Sequence, residues 1–478
     1  MKEYDLIAIG TGSAMRVVSG MIATNPDARI AVIDKDEPGG ICLTKGCIPS
    51  KLLLYPADLV RTIETSTKFG IEAEVKNIDF KQVMDRMRGD IQKEIDTIRK
   101  ELEADRNIDY YFNVAKFVAP YTLRVGTKEL KSNMILLTTG SKPSIPTIKG
   151  LDEVSYHTSD TLLEMTELPE SLVIVGGGYI AAEYGHFFSA MGSEVTIVGR
   201  NPHFLADEEP EVSTLAMREL SKHLDLLTNH EAVQVQETGD GMKKLVVQNR
   251  ATGATVERFA REILVATGRG PNTDILQPER ANIKTDESGW IVVDEFLETS
   301  QPNIWAFGDA NGKYPFKHKA NYEAFIVYNN AILQNRLGAE YHAVPHAVFT
   351  HPEVASVGLK EKEAVELYGE ENVLIGFKRY QDTAKGEAMA VEDCFAKIIV
   401  EQATNRILGG HIIGPHASIL IQEVITLMYT PSRSVLPIMY GMHIHPALSE
   451  VVERALDFLI TPAQYHHMID QEFGLEPV

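Results

Sequence analysis

Two of the three cysteines in this chain, Cys42 and Cys47, lie five positions apart in GGICLTKGCIPSK, Gly39 to Lys51. A close thiol pair can bind a metal or cycle between dithiol and disulfide. Metal-site pairs usually sit closer together and come with a second ligand pair elsewhere. Two unrelated buried thiols are the plainer alternative, and neither reading suits the segment well. On a regular helix, residues five apart are separated by roughly 8–9 Å between Cα atoms, whereas a disulfide needs about 7 Å or less. Bridging therefore requires a distorted segment, and Gly39, Gly40, Gly46 and Pro49 give it that freedom. Pro49 also suits the first turn of a helix. A thiolate near that helix start gains from the helix dipole and from Lys51. Cys394, alone in EDCFAKI, reads as an ordinary strand residue.

The elements that must position such a pair show up as a repeat. DLIAIGTGSA, from Asp5 to Ala14, reads as an apolar strand feeding a Gly-x-Gly turn and a helix; a second strand, RIAVID, then ends at Asp34. The pattern recurs at SLVIVGGGYIAAE, Ser171 to Glu183, followed by SEVTIVGR ending at Arg200. Each copy later acquires a strand ending in Thr-Gly, ILLTTG to Gly140 and ILVATG to Gly268. In such a unit the first glycine permits the tight turn and the second lets a pyrophosphate approach the backbone. The helix N-terminus supplies unpaired N–H groups and partial positive charge.

The first copy offers Gly10, Gly12 and Asp34, the last suited to ribose hydroxyls. It departs at the third position, where Met15 replaces Gly or Ala, so helix and strand are expected to sit further apart or the helix to shift. The second copy has Gly176, Gly178 and Ala181, with Gly199 where the carboxylate would stand and Arg200 beside it. An arginine there pairs with a 2′-phosphate and favours NADP(H); the alternative is a solvated loop residue. One glycine turn is a weak signal. Two copies, each with its partner strand, predict two dinucleotide-binding folds.

Between the copies, Phe80, Val83, Met84, Met87, Ile91, Ile95, Ile98 and Leu102 keep spacings of three and four, which predicts a long structural amphipathic helix. From about His342 the glycine signatures stop. Short β-like runs followed by helical segments predict a separate α+β domain. A length of 478 residues fits two to four domains. With 46 basic and 67 acidic residues the net charge is −21, which argues against nonspecific nucleic-acid binding. No apolar run reaches the roughly eighteen residues of a membrane helix, and no leader pattern opens the chain. Three cysteines are too few for a secreted disulfide scaffold, so a reducing, cytoplasmic location is expected.

GGICLTKGCIPSK resembles the redox-active segment of the flavin-dependent pyridine nucleotide–disulfide oxidoreductases, and the resemblance runs over essentially the whole chain in family order. NIWAFGDAN, Asn303 to Asn311, is similar to the family's second flavin motif, with Asp309 as its aspartate. ATGRGPNT and HPEVASVG match further family segments. HIHPALSE, His443 to Glu450, resembles the motif whose second histidine and glutamate form the catalytic dyad.

The resemblance implies an α/β chain with two Rossmann-like dinucleotide-binding domains and a C-terminal α+β dimerisation domain. It divides the chain into an FAD domain at 1–148 and 271–341, an NAD(P) domain at 149–270 and a dimerisation domain at 342–478. Gly10, Gly12, Asp34, Lys51, Thr139, Gly140, Ser141, Asp309 and His318 are implied to serve FAD. Gly176, Gly178, Tyr179, Glu183, Arg200 and Gly268 would serve the nicotinamide nucleotide, and no metal is expected. Electrons would pass from nicotinamide to flavin and then to a Cys42–Cys47 disulfide. Cys47 would lie against the flavin as the charge-transfer thiolate, and Cys42 would meet the substrate.

His445, oriented by Glu450, would protonate the leaving thiol; His443 is the competing base or a structural histidine. Lys51 and Glu183 match the ion pair beside the flavin's reactive nitrogen. Tyr179, one turn before Glu183, matches a ring that covers the nicotinamide pocket, or it simply packs. Family members place the histidine across the subunit interface, which implies a homodimer.

Within the family, the mercury-reducing subgroup relies on a further C-terminal cysteine pair, and YHHMIDQEFGLEPV has none. FKHKANYEA and IHPALSEVVE look closest to reductases of small disulfides such as mycothione, and Arg200 agrees with NADPH. Dihydrolipoamide dehydrogenase, which serves lipoyl-bearing 2-oxoacid dehydrogenase complexes, shares CIPSK and a similar histidine motif. It usually carries an acid where Gly199 stands, and it is kept as the alternative. Glutathione reductase is less similar, with no clear match to its substrate arginines. A structural subunit of a complex and a diaphorase with a vestigial disulfide are the remaining readings.

Overall fold

The computed structural model describes residues 1–473, with side chains through Asp470; the last residues of the expected 342–478 domain and of its cysteine-free tail lie outside the described residues. The strand Leu6–Ile9 is wholly buried at the middle of a five-stranded parallel sheet. Its neighbours are Ile30–Asp34, then Ile108–Phe112 on one side, and Ile135–Leu137, then Ile304–Ala306 on the other. Near-continuous apolar runs suit such strands because both faces are covered: the helices Ala14–Thr24 and Lys317–Val327 pack on one, and the antiparallel strands Ala115–Ala119, Thr122–Val125 and Lys128–Ser132 on the other. The fifth strand arrives from residue 304, so this unit closes only after the chain has built a second one.

Helix α1 (Ala14–Thr24) follows the first glycine turn. Ala14 takes the fully buried place in its first turn, while Met15 packs at the margin of the core. Helices α2 (Gly40–Thr44) and α3 (Cys47–Thr65) carry one cysteine each. Helix α4 (Phe80–Ala104) starts at Asp79, whose carboxylate accepts the Gln82 N–H at 2.9 Å. Such a cap is worth about 1 kcal/mol. Phe80, Met84, Met87, Ile91 and Ile95 pack with α3, whereas Ile98 and Leu102 reach the core under α1.

The second unit repeats the plan. Its parallel sheet runs His157–Thr158, Glu262–Val265, Ser171–Val175, Glu194–Val198, Asp225–Leu227, with α5 (Tyr179–Met191) after the glycine turn and α6 (Pro210–Leu220) beyond. Both turns use their first glycine alike. Gly10 has φ +108° and a Cβ there would sit 2.3 Å from the Thr138 carbonyl oxygen; Gly176 has φ +140° and would meet that of Ala266 at 2.2 Å. An antiparallel pair, Ser141–Pro143 with Arg269–Pro271, joins the two units. After α7 (Lys317–Val327) the chain builds a six-stranded antiparallel sheet, backed by the helices Ala417–Met428 and Glu450–Ala455.

That sheet is tied to the second unit by buried charge. Lys397, wholly buried, sits 3.1, 2.5 and 2.7 Å from carboxylate oxygens of Glu209, Glu211 and Glu361. These three glutamates are the acidic group, among the described residues, whose spacing could hold a cation, and the lysine ammonium fills that place. Burial raises the Glu211 carboxyl, but Lys397 and the Tyr465 hydroxyl outweigh it and bring it to about 2. No helix among the described residues is long and apolar enough to cross a membrane.

Candidate functional site

The cysteine segment is broken where the glycines allow it. Helix α2 ends with the Lys45 N–H bonded to the Ile41 carbonyl at 2.9 Å, and Gly46 then leaves helical geometry at φ −125°, ψ −115°. A Cβ on Gly46 would lie 3.0 Å from the Ile41 oxygen and 3.4 Å from the Cys42 Cα. The kink folds the start of α3 back onto α2. Cys42 and Cys47 are free thiols, hydrogen-bonded to each other.

Their ionisation is split. The hydrogen bond from Cys42, resisted by burial and helped by Lys51, brings Cys47 down to about 7. The same bond and burial push Cys42 far above its ordinary value, with Lys317 pulling the other way. One thiol is thus an acid near neutrality and the other a reluctant one.

One turn into α3, Lys51 donates to both Glu183 oxygens at 2.8 Å, and Glu183 also accepts the Phe349 N–H at 3.1 Å. The Lys51 ammonium sits 4.4 Å from the centre of the Phe349 ring. Tyr179 stands one turn before Glu183 on the same face of α5, and burial raises its phenol to about 12.

All of these groups line one cavity of about 820 Å³. Gly10, Gly12 and Asp34 line it too, as do Thr139, Gly140, Ser141, Asp309 and His318. Asp34 Oδ2 accepts the Thr11 N–H at 2.8 Å and its hydroxyl at 2.6 Å, so the carboxylate also holds the glycine turn. Burial raises its carboxyl. The Ser141 hydroxyl donates to Asp309 at 2.5 Å and accepts from Arg269 Nε at 2.7 Å. His318 Nε2 lies 2.6 Å from the Pro345 carbonyl oxygen, and burial lowers its pKa.

Two observations fit a dinucleotide in this cavity. A Cβ on Gly40, at φ +72°, would lie 2.7 Å from the Gly12 Cα, so bare backbone lines the start of α1 where a pyrophosphate binds. The Thr139 hydroxyl is buried with no partner.

Gly176, Gly178, Arg200 and Gly268 lie outside this cavity, in the second unit. Arg200 is exposed at the end of Glu194–Val198, its carbonyl accepting from Arg250 Nη1 at 3.0 Å. Gly199 has a steric reason to be glycine: its Cβ would lie 3.3 Å from the Gly177 Cα. His445 and Glu450 are not in the cavity either. The His445 side chain is 63% exposed, with Nδ1 3.0 and 3.2 Å from the Glu450 oxygens. Hydrogen bonds from His445, the Ala447 N–H and Arg454 hold the Glu450 carboxyl below its usual range. With Nδ1–H donated to the carboxylate, Nε2 keeps a free lone pair. His443 differs: it is nearly buried and bound to Glu423 at 3.0 Å.

Sequence reading passed over two residues of this site, and it named Gly40 only for the freedom of the cysteine segment, not for its approach to Gly12. Thr11 carries no charge and gains meaning only from what it touches. Lys317 lies inside the FKHKANYEA segment but has no acidic neighbour in sequence to mark it.

The family pattern described as "Pyridine nucleotide-disulphide oxidoreductase" matches residues 4–324, and that family's dimerisation domain matches residues 344–456. A mycothione reductase from Mycobacterium tuberculosis is 36% identical over 471 residues, covering 95% of this chain and 99% of its own. A dihydrolipoyl dehydrogenase from Chlamydia pneumoniae is 33% identical, covering 94% and 95%. The HOCl-induced flavoprotein disulfide reductase RclA from Escherichia coli superimposes with a TM-score of 0.83 at 26% identity, over 94% of this chain and 98% of its own. This chain belongs to the pyridine nucleotide–disulphide oxidoreductase family, FAD-dependent enzymes that act on sulfur with a nicotinamide nucleotide.

Proposed function

We propose that the protein is an NADPH-dependent reductase of a low-molecular-weight disulfide, active as a homodimer. The observation that carries this reading is the thiol pair, one acidic and one reluctant, in the same cavity as the Lys51–Glu183 ion pair. FAD, held by the glycine turn, Asp34, Thr139, Ser141 and Asp309, would supply two-electron transfer between nicotinamide and the cysteines.

In the reduced protein Nε2 of the partner subunit's His445 would take the Cys42 proton, and the resulting Cys42 thiolate attacks one sulfur of the substrate disulfide. A new Cys42–substrate bond forms, the substrate S–S bond breaks, and the departing thiolate takes a proton from His445 of the partner subunit. The Cys47 thiolate then attacks Cys42, releasing the second substrate thiolate, which is protonated in turn, and remaking the Cys42–Cys47 disulfide. One substrate disulfide, the Cys42 thiol, the Cys47 thiolate and one proton from solvent become two substrate thiols and the Cys42–Cys47 disulfide. The exposed dyad supports assigning the acid to a partner subunit. It lies outside its own chain's cavity, and exposed Tyr440, Met442, Ile444 and Phe458 stand nearby in sequence.

The NADPH preference is supported by Arg200 and Arg250, adjacent at the strand end where Gly199 replaces a carboxylate. Steady-state kinetics of FAD-loaded protein, with NADPH and NADH against small disulfides and lipoamide, tests the reading. A higher kcat/KM with NADPH and a small disulfide is expected. Faster turnover with NADH and lipoamide would replace it with the dihydrolipoyl dehydrogenase reading, which the Chlamydia relative supports. Arg200→Glu is expected to lower kcat/KM for NADPH about tenfold or more, the worth of a charge-assisted phosphate contact, with little change for NADH.

A further inference from the structure

We propose that Lys317 is the positioning cation for Cys42, holding that sulfur ready as the attacking thiolate; this rests on the disulfide-exchange reading above. Lys317 is the first residue of α7 and lines the cavity that holds both cysteines. Its ammonium donates to the Ser13 hydroxyl at 3.1 Å, and Ser13 donates onward to Asn321 Oδ1 at 3.0 Å, on the next turn of α7. Ser13 adjoins Gly12, the residue whose backbone meets Gly40 at the start of α2, and Cys42 is two residues beyond. The lysine is therefore pinned at the α1–α2 junction, in the same cavity as the thiol expected to meet substrate.

Its charge is also available. Every other lysine or arginine lining the cavity has a carboxylate within 4.0 Å; Lys317, among the described residues, has none. Cys47 has Lys51, but that ammonium is bound by both oxygens of Glu183. The charged and titratable groups facing the thiols are, besides Lys317 and the thiols themselves, Lys51 from α3 and Glu183 and Tyr179 from α5; those facing Lys317 are the two thiols, Arg16 from α1 and Asp309 ahead of α7. Burial disfavours both charged forms at this junction. Lys317 and Cys42 oppose it in each other: the lysine draws the thiol down, and the thiolate draws the lysine up. A half-buried thiolate without a cation pays the desolvation cost alone. Exchange runs through the thiolate, so this charge sets the rate of attack.

The test is alkylation of the reduced, FAD-loaded protein by iodoacetamide across pH, with the modified cysteine identified by peptide mass. Lys317→Met is expected to raise the Cys42 midpoint by about one pH unit and to slow its alkylation about tenfold at pH 7. Lys317→Arg is expected to restore both, and FAD content and the long-wavelength band of the Cys47 thiolate are expected to persist in each variant. An unchanged Cys42 midpoint in Lys317→Met overturns the proposal. So does weaker FAD binding with an unchanged midpoint, which would assign the lysine to the dinucleotide phosphates. If Lys317→Met is unstable, Lys317→Gln decides in its place: a raised Cys42 midpoint supports the proposal and a wild-type one overturns it. Failure of the underlying reading shows separately, in wild-type protein whose two cysteines do not become alkylatable on reduction.

Discussion

Two sulfurs with one composition behave differently because their surroundings differ. Both are half-buried, but Cys47 receives a hydrogen bond and lies near Lys51, whereas Cys42 gives that bond away. The received bond and the lysine favour an anion, so Cys47 loses its proton as pH rises through about 7. Lys51→Met removes one of them and leaves Glu183 unpaired nearby, a change of the same sign. The midpoint is expected to move to higher pH by about one unit, read from the pH dependence of the long-wavelength absorbance of the reduced protein. An unchanged midpoint would mean that the hydrogen bond alone sets the acidity. The residue types at 42, 47 and 51 were legible in sequence; which thiol would be the acid was legible only through family resemblance, because it depends on who donates to whom.

At the scale of elements, the site depends on one break and one close approach. Gly46 interrupts the helix so that α2 and α3 meet at the cysteines, and Gly40 lets α2 start against the glycine turn before α1. Gly40→Ala puts a methyl 2.7 Å from the Gly12 Cα at a φ of +72°, where an L side chain is already strained. The purified variant is expected to carry less than half the wild-type flavin, measured by FAD absorbance against protein, since the methyl enters the expected pyrophosphate path. Full occupancy would show that the junction relaxes elsewhere. The need for a distorted cysteine segment could be argued from spacing alone. The partner of Gly40 could not, because Gly12 is 28 positions away and the two meet only once the sheet has formed. Helix α4, by contrast, was legible almost to its ends, since its apolar stripe is a local property.

Across the whole molecule, the cavity draws on both nucleotide units, and the C-terminal sheet helps to hold them. Phe349, at the edge of that sheet, bonds to Glu183, and Lys397 binds Glu209 and Glu211 at the start of α6. Lys397→Met leaves buried carboxylates without their cation, and breaking such a buried group typically costs about 3–5 kcal/mol. Urea unfolding is expected to show that loss, with the transition of the second unit separating from that of the C-terminal domain. A single transition of unchanged midpoint would mean that the carboxylates take up protons at little cost.

What the linear order of residues determined was the inventory: two glycine-turn units, a cysteine pair beside a lysine, a histidine–glutamate motif and a separate C-terminal domain. These are carried by local patterns, since periodicity, turn chemistry and short motifs act over a few residues. Tertiary structure decided which of those parts share a space. It gathered the FAD candidates, both cysteines, Tyr179, Glu183 and Lys317 around one cavity, left His445 outside it, and buried Lys397 among three glutamates. The physical reason is that burial and electrostatic pairing are set by neighbours tens to hundreds of residues away, and those neighbours do not exist until the sheets have closed.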